Sequence, residues 1–464
     1  MPKQTIPYSE TGYFSKLMCD YLAEQDVLKN FYGRFPKIEN FKGQIAEKQQ
    51  SFKQETRELL ANQLKKQYAD VAVSEATATN IAALANENTF TITTGHQLNL
   101  FTGPLYFLYK IFSVINLSEQ LNAHFPEQHF VPVYWMATED HDFEEINYFR
   151  FKGKKVVWDR NDGGAVGELS TEGLEAVAQK IAVLFGESAH GKQLQQWFVN
   201  GYVKHQNLAG ATRYLGNELF KKYGLVIVDG NDAELKRAFV PYAEKELTEK
   251  LAYHEVRATT RKLEALGYPE QVHPREVNLF YTTSGVRERI IEEDGNFFIQ
   301  DTKLSFSKDE VLAELGNHPE RFSPNALLRP LYQEVILPNL CYVGGGGELA
   351  YWFQLKAYFE RVSVPYPIVL LRNSVLLVSE KQSEKLQGLE VSIERLFQKQ
   401  HALKTEFTHQ VSNINIDFSE QREHLKKQFK ELYELAEKTD ASFLGAVGAQ
   451  EKKQLNGLDH LEKR

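Results

Sequence analysis

Residues 90–147 constrain the fold of this chain more than any other stretch. They read as strand, polar cluster, Gly-Pro turn, amphipathic helix, second strand and second polar cluster. The first strand, residues 89–94, is β-branched and aromatic and stops at Gly95. Gly103 and Pro104 supply the turn, and Pro104 suits a first helical turn, where the N–H it lacks would have no partner. Behind it Leu105, Leu108, Tyr109, Phe112 and Ile115 recur at three- and four-residue spacing, which makes one apolar face; the helix is expected to stop before Pro126. Residues 130–136 are apolar throughout, as in a strand covered on both faces, although Pro132 is unsuited to an ordinary central strand. If both strands lie parallel in one sheet, a right-handed crossover brings Thr94-Gly95-His96-Gln97 and Glu139-Asp140-His141-Asp142 to one edge, where open α/β sheets bind ligands.

The remaining chain divides around that unit. Residues 1–148 read as a helical preface and the first part of an α/β core. The preface has Tyr13, Leu17, Tyr21 and Leu22 at helical spacing, then one polar helix over residues 42–69 with Phe52, Leu59, Leu60, Leu64 and Tyr68 along one side. Residues 149–222 form an inserted segment that opens with hairpin turns at Lys152-Gly153 and Asp162-Gly163-Gly164 and continues as helices. Residues 223–270 return to the core with a buried strand at 225–228 and a helix at 233–251. A second, polar and β-rich insertion spans residues 271–326, and residues 327–378 close the core. In the last segment, 379–464, Leu386, Leu389, Ile393, Leu396, Leu403 and Phe407 keep a heptad-like rhythm. After a break at residues 413–417 it resumes with Leu425, Phe429, Leu432, Ala436 and Phe443. Two long antiparallel helices are expected, either as a solvent-facing hairpin or as a dimer arm. The chain reaches Arg464 without a helix stop signal, so a longer helix is expected there.

Composition limits the function classes. A formal net charge of -8 argues against binding nucleic acid through phosphate contacts. Two cysteines, Cys19 and Cys341, make neither a disulfide framework nor a CxxC site, which points to a reducing compartment. The first residues lack a signal-peptide apolar core and no run is long enough to span a bilayer, so the expected location is the cytoplasm.

The chemistry has to come from a few residues. Glu139, Asp140, Asp142, Glu144 and Glu145 with His141 can bind an ammonium, hold a metal or act as general base. Glu144 and Glu145 also suit the acidic first turn of a helix. His96, Gln97 and Asn99, just before a helix, suit either anion binding or a capped turn, and Lys110 adds a cation. Gly344 to Gly347 open a helix at Glu348 as a tight turn that lets backbone approach a ligand, without the GxxxxGK[ST] or GxGxxG pattern of a phosphate loop. Arg329, Gln333 and Glu334 are polar groups within an apolar stretch. No nucleophile elbow, zincin helix or Cys-His pair is evident.

Several blocks together resemble the bacillithiol biosynthesis cysteine-adding enzymes. They are Thr94 to Gln97, Leu100 to Tyr106, Tyr109-Lys110, Trp135 to Asp142 with Glu145-Ile146, Arg329-Pro330, and Gly344-Gly345 to Tyr351-Trp352 with Gln354-Leu355-Lys356. The resemblance runs over nearly the whole chain. It implies a Rossmann-like parallel-sheet core with inserted segments and a coiled-coil dimer arm, distantly similar to class I aminoacyl-tRNA synthetases and pantothenate synthetases, with Gly95-His96-Gln97 in the place of their nucleotide-binding histidine motif. The implied activity is a cytoplasmic ligase that joins L-cysteine to the amine of glucosaminyl-malate to form bacillithiol.

Such a reaction needs an activated carboxyl, most simply through ATP, and a deprotonated amine. On this reading His96, Gln97 and Asn99 line the activated-carboxyl or nucleotide side, together with Thr94, Gly95, Gly103 and Lys110. Asp140, His141 and Asp142, flanked by Trp135 and Glu139, bind the amine and take its proton. Arg329 faces a malate carboxylate, with Gln333, Gly344, Gly345, Glu348 and Tyr351 nearby; whether a metal takes part is left open. Two other classes stay in view: a metal-dependent hydrolase using the Glu139 to Asp142 cluster, and a non-enzymatic coiled-coil assembly protein.

Overall fold

The computed structural model describes residues 4–160, 163–411 and 417–462. Five strands make a wholly parallel central sheet: β1 (Thr89–His96), β2 (His129–Met136), β3 (Val226–Asp229), β4 (Asn339–Gly344) and β5 (Ile368–Leu371). Their order is β5-β4-β1-β2-β3. The chain winds outward from β1 through β2 to β3, then returns to place β4 on the other side of β1. This is the Rossmann-like arrangement, and its switch point lies between β1 and β4, where a crevice opens at the strand ends.

The expected unit of residues 90–147 is present. Helix α1 (Tyr106–His124) joins β1 to β2, which pair in register from Thr89 opposite His129 to His96 opposite Met136. Pro132 sits in a central strand after all. The amides of His129 and Ala137 point to β1, so the position of Pro132 faces the β3 side, and pairing there begins only at Val133 opposite Val226. The ring therefore removes no ladder hydrogen bond.

One face of β1 is polar and still buried. Thr91 and Thr93 hydroxyls donate to Asn339 Oδ1 at 3.2 and 2.8 Å, and Asn339 and Gln333 donate to Glu334 Oε1. Lys48 closes this network with a 3.1 Å ion pair to Glu334; both side chains are within 1% of full burial. Lys48 comes from the preface, where the single helix expected over residues 42–69 is two, Phe41–Ser51 and Gln54–Gln67. The Ser51 hydroxyl bonds back to the carbonyls of Glu47 and Lys48, competing with continuation of the helix, and Phe52 turns extended.

The two insertions are compact. Tyr148–Phe151 pairs with Lys154–Val157 across a turn in which Lys152 and Gly153 both have positive φ. Residue 162, the first of the second expected turn, lies outside the described residues. Phe322–Pro324, Leu279–Thr283, Val286–Glu293, Asn296–Ile299 and Ser305–Ser307 form, in that spatial order, an antiparallel sheet.

Residues 4–12 and 378–462 belong to a separate compact unit. Its helices Ser419–Ala436 and Ala441–Glu462 form an antiparallel hairpin around Phe429, Ala436 and Val447, with Arg422 paired to Asp459 and Glu462. The long helix expected over 386–407 is instead three pieces, Glu380–Gly388, Glu394–Phe397 and Gln400–Val411. The chain breaks where Glu390 takes positive φ and Val391 turns inward, and a local turn thus overrides the heptad rhythm. Most of the expected break at 413–417 lies outside the described residues. Among the described residues no helix is long and apolar enough to cross a membrane.

Candidate active site

At the switch point the ends of β1 and β4 hold a charged cluster. Lys110, buried on α1, donates to the Gly95 carbonyl at 2.5 Å and pairs with Glu348 at 2.7 Å. Glu348 lies in the first turn of α2 (Gly346–Arg361), where its carboxylate also accepts from Tyr342 Oη at 2.6 Å and the Gly345 amide at 2.8 Å. These donors, led by the charge of Lys110, outweigh burial and hold the Glu348 carboxyl below its usual range. With Glu348 so engaged, Arg329 carries the surplus positive charge. Its Nη1 donates to Gln333 at 3.0 Å, its guanidinium lies 5.5 Å from the Tyr342 ring centroid, and Tyr351 adjoins it. Its Nη2 is buried without a hydrogen-bond partner among the described residues. Gly95 makes room for this arrangement: a Cβ there would stand 3.2 Å from Tyr342 Oη and 3.6 Å from Arg329 Nη1.

Just past the end of β1, Gln97 reaches the second polar cluster. Its amide donates to Asp140 Oδ2 at 2.9 Å and Glu145 Oε2 at 2.8 Å. Asp140 Oδ1 accepts from the His141 and Asp142 amides, while Asp142 caps the short helix Phe143–Ile146 through the Glu145 amide. The two expected clusters thus meet at one sheet edge. Glu139 turns away, into a 2.8 Å ion pair with Lys236, and Thr138 donates to Asp229. The acidic run therefore does not converge on one point. Among the described residues no group of three or more such side chains is placed to hold a metal ion.

His96 points the other way. It packs on Phe107 and Tyr106, with Nε2 buried and unpartnered, beside a cavity of about 10 Å³ also lined by Asn99 and Thr212. Asn99 Oδ1 and Thr212 Oγ1 are likewise orphaned. The adjoining loop is held by force of its surroundings: Phe101, Thr102 and Gly103 all have positive φ, and the Phe101 amide donates to the Tyr202 hydroxyl oxygen while its ring inserts among Phe149, Phe185 and Phe198. Burial, with Lys110 acting in the same direction, pushes the His96 imidazole down from 6.5 to about 3. It is neutral at ordinary pH and cannot serve there as a charged acid. The unfolded chain takes up a proton near 6.5 that the folded chain refuses until about 3, so stability falls as pH drops through that window, by up to about 1.4 kcal/mol per unit. Urea unfolding across this range should show a steeper loss for the native chain than for His96→Gln.

Residues 1–373 match the family model described as "Bacillithiol biosynthesis BshC, N-terminal Rossmann-like domain", and residues 375–464 match "Bacillithiol biosynthesis BshC, C-terminal coiled-coil domain". The chain belongs to the BshC family. Proteins named "Putative cysteine ligase BshC" are similar to it along its whole length. That of Flavobacterium johnsoniae is 56% identical over 464 residues, covering 100% of this chain and 87% of the relative. That of Christiangramia forsetii is 55% identical with the same coverage, and that of Cytophaga hutchinsonii 38% identical over 99% of this chain and 86% of the relative. Membership gives the chain a role in bacillithiol biosynthesis and makes it a ligase-type enzyme.

Within this BshC chain the residues singled out from sequence do not all reach the site. Gly95, Gln97, Lys110, Arg329, Glu348, Tyr351, Asp140, His141 and Asp142 stand at the strand ends. Thr94, Trp135 and Gln333 belong to the packing behind them: Thr94 donates to the Val343 carbonyl, Trp135 packs edge-on against Tyr332, and Gln333 is fully buried in the Glu334 network. Asn99 donates to the Glu145 carbonyl and does not cap a helix. Gly103 serves the strained turn, where a Cβ would come within 2.4 Å of Asn99 Cβ. Gly344 is required by packing, since a Cβ would meet Leu349, Tyr342 and Glu348 at about 3 Å.

Within the glycine run the Gly345 amide is already taken by the Glu348 carboxylate. Sequence reading missed Tyr342, Arg372 and Arg287. Arg372 follows β5, its amide bonded to the Gly344 carbonyl and its guanidinium 4.8 Å from the Tyr106 ring centroid. The polar pair Arg372-Asn373 interrupting an apolar strand was its one visible signal.

Proposed function

We propose that this chain forms an amide bond between the carboxyl of L-cysteine and the amine of glucosaminyl-malate, the step that yields bacillithiol. The observation that carries the reading is the pairing of opposite demands at one strand end. Arg329, with surplus charge and an unpartnered buried Nη2, adjoins Gly95, and Gln97 two residues on touches the carboxylates of Asp140 and Glu145. The first suits a substrate carboxylate such as that of malate, and the second suits an amine. Asp140 and Asp142 are the carboxylates available to take the amine proton as the nitrogen bonds to the activated acyl carbon and the activating group departs with the electrons of the acyl C–O bond.

Condensing a free carboxylate with an amine requires activation, for which ATP is the simplest agent. The test is product formation by mass spectrometry from L-cysteine and glucosaminyl-malate, with purified full chain and ATP present or omitted. Product that appears only with ATP is expected. No product and no substrate binding under any condition would remove the ligase reading.

The helical hairpin supports pairing with a second copy. Leu432, Leu435 and Phe443 stay 42%, 54% and 42% exposed, on a face that its own core does not cover. Sedimentation velocity should report a dimer, and Leu432→Lys with Leu435→Lys should shift it to monomer.

A further inference from the structure

The second inserted sheet delivers a side chain to the site. Arg287, on the strand Val286–Glu293, is 8% exposed, and its Nη1 lies 2.8 Å from His141 Nδ1. It has little freedom to move. Nε donates to Ser323 Oγ at 3.1 Å, Nη2 faces the Pro324 carbonyl, and the guanidinium lies 3.9 Å from the Phe280 ring centroid. The same ring flanks the His141 imidazole at 5.5 Å. The charged groups around this pair are Asp140, with Oδ1 3.7 Å from His141 Nδ1, and Glu139, whose charge acts on Arg287 together with that of Asp140.

We infer that Arg287 is a positioning residue: it holds His141 as the neutral tautomer protonated on Nε2, so that His141 serves the reaction as a hydrogen-bond donor and not as its base. A guanidinium has five donors and no acceptor, so the nitrogen it meets must accept. In a neutral imidazole that leaves the proton on the other nitrogen. The alternative would set two N–H groups head to head at 2.8 Å, or an imidazolium against a guanidinium. Nε2–H, on the far side of a half-exposed ring, is then the atom offered to a substrate oxygen, where a fixed donor stabilises developing negative charge. The proton released by the amine passes to Asp140 or Asp142. This assignment of roles rests on the ligase reading; the tautomer itself does not.

The test uses the full chain labelled with 15N-histidine, with the His141 signals identified by their loss in His141→Gln. Long-range proton-nitrogen spectra should show an unprotonated Nδ1 and a protonated Nε2. Arg287→Met should let the ring distribute between tautomers and lower kcat about 10- to 100-fold, the scale seen when an orienting partner is lost, with KM little changed. Arg287→Lys, which keeps a donor and a charge, should restore the native tautomer and most of kcat, and it carries the comparison if Arg287→Met does not fold. A protonated Nδ1 in the native chain, or an unaltered tautomer in both variants, overturns the inference. The expected tautomer in a chain that makes no product from any substrate pair would overturn the ligase reading alone.

Discussion

Arg329→Gln is expected to lower kcat/KM for the carboxylate-bearing amine substrate by about 30- to 5,000-fold, the equivalent of about 2–5 kcal/mol for a buried charge-assisted contact. Arg329 holds positive charge that no neighbouring carboxylate among the described residues takes up in a direct ion pair. Lys110 and Glu348 neutralise each other at 2.7 Å, the Glu348 oxygens are further taken by Tyr342 and Gly345, and Arg329 Nη2 remains without a partner. Burial opposes the Arg329 charge, but Tyr342, Tyr351 and the Glu348 carboxylate outweigh it, so the site keeps the guanidinium charged. Arg329→Gln should therefore lower the unfolding midpoint only modestly while activity collapses far beyond that loss, the pattern of a residue kept for function. Arg329→Lys should recover only part of the activity, since an ammonium does not reproduce the planar two-pronged geometry of a guanidinium on a carboxylate. Steady-state kinetics beside thermal unfolding would check both halves. Near-native kcat/KM in Arg329→Gln would detach this residue from substrate binding.

Lys48→Met should be the most destabilising of the charge-removing substitutions, at about 3–5 kcal/mol, because it strands Glu334 beneath the sheet. Neither side chain of this pair reaches solvent. Glu334 keeps its contacts to Asn339 and Gln333, but those neutral donors cannot replace an ammonium. Burial already raises the Glu334 carboxyl above its usual range, with Lys48 opposing the rise. Without Lys48 that opposition goes, and the loss of stability should shrink as pH falls and the carboxyl takes a proton. Pairing the change with Glu334→Gln removes both charges and should recover most of the loss. Urea unfolding of the three variants at neutral and mildly acidic pH would decide it; a Lys48→Met variant within about 1 kcal/mol of native would mean that the network does not depend on the ion pair.

What the sequence determined by itself is local and periodic. The threonine-rich β1, the helix behind Pro104, the apolar β2 and the strand at 226–229 follow from spacing within a dozen residues, and so does the meeting of the two polar clusters after β1 and β2. Composition could not reveal which strand would lie on the other side of β1. That neighbour is β4, nearly 250 residues away, as the Thr91 to Asn339 bond spans 248 positions. With it came the switch point, the surplus charge on Arg329 and the burial of Lys48 from a helix that reads as polar.

Arg287 is the clearest case. It lies 146 positions from His141 in an alternating strand of an insertion, where one arginine looks like any other solvated charge. Periodicity reports which face of an element is apolar, because that follows from the geometry of one helix or strand. It is silent on which distant element will cover that face. The partner of a charge, and therefore its chemistry, is fixed only when the chain has closed into its tertiary structure.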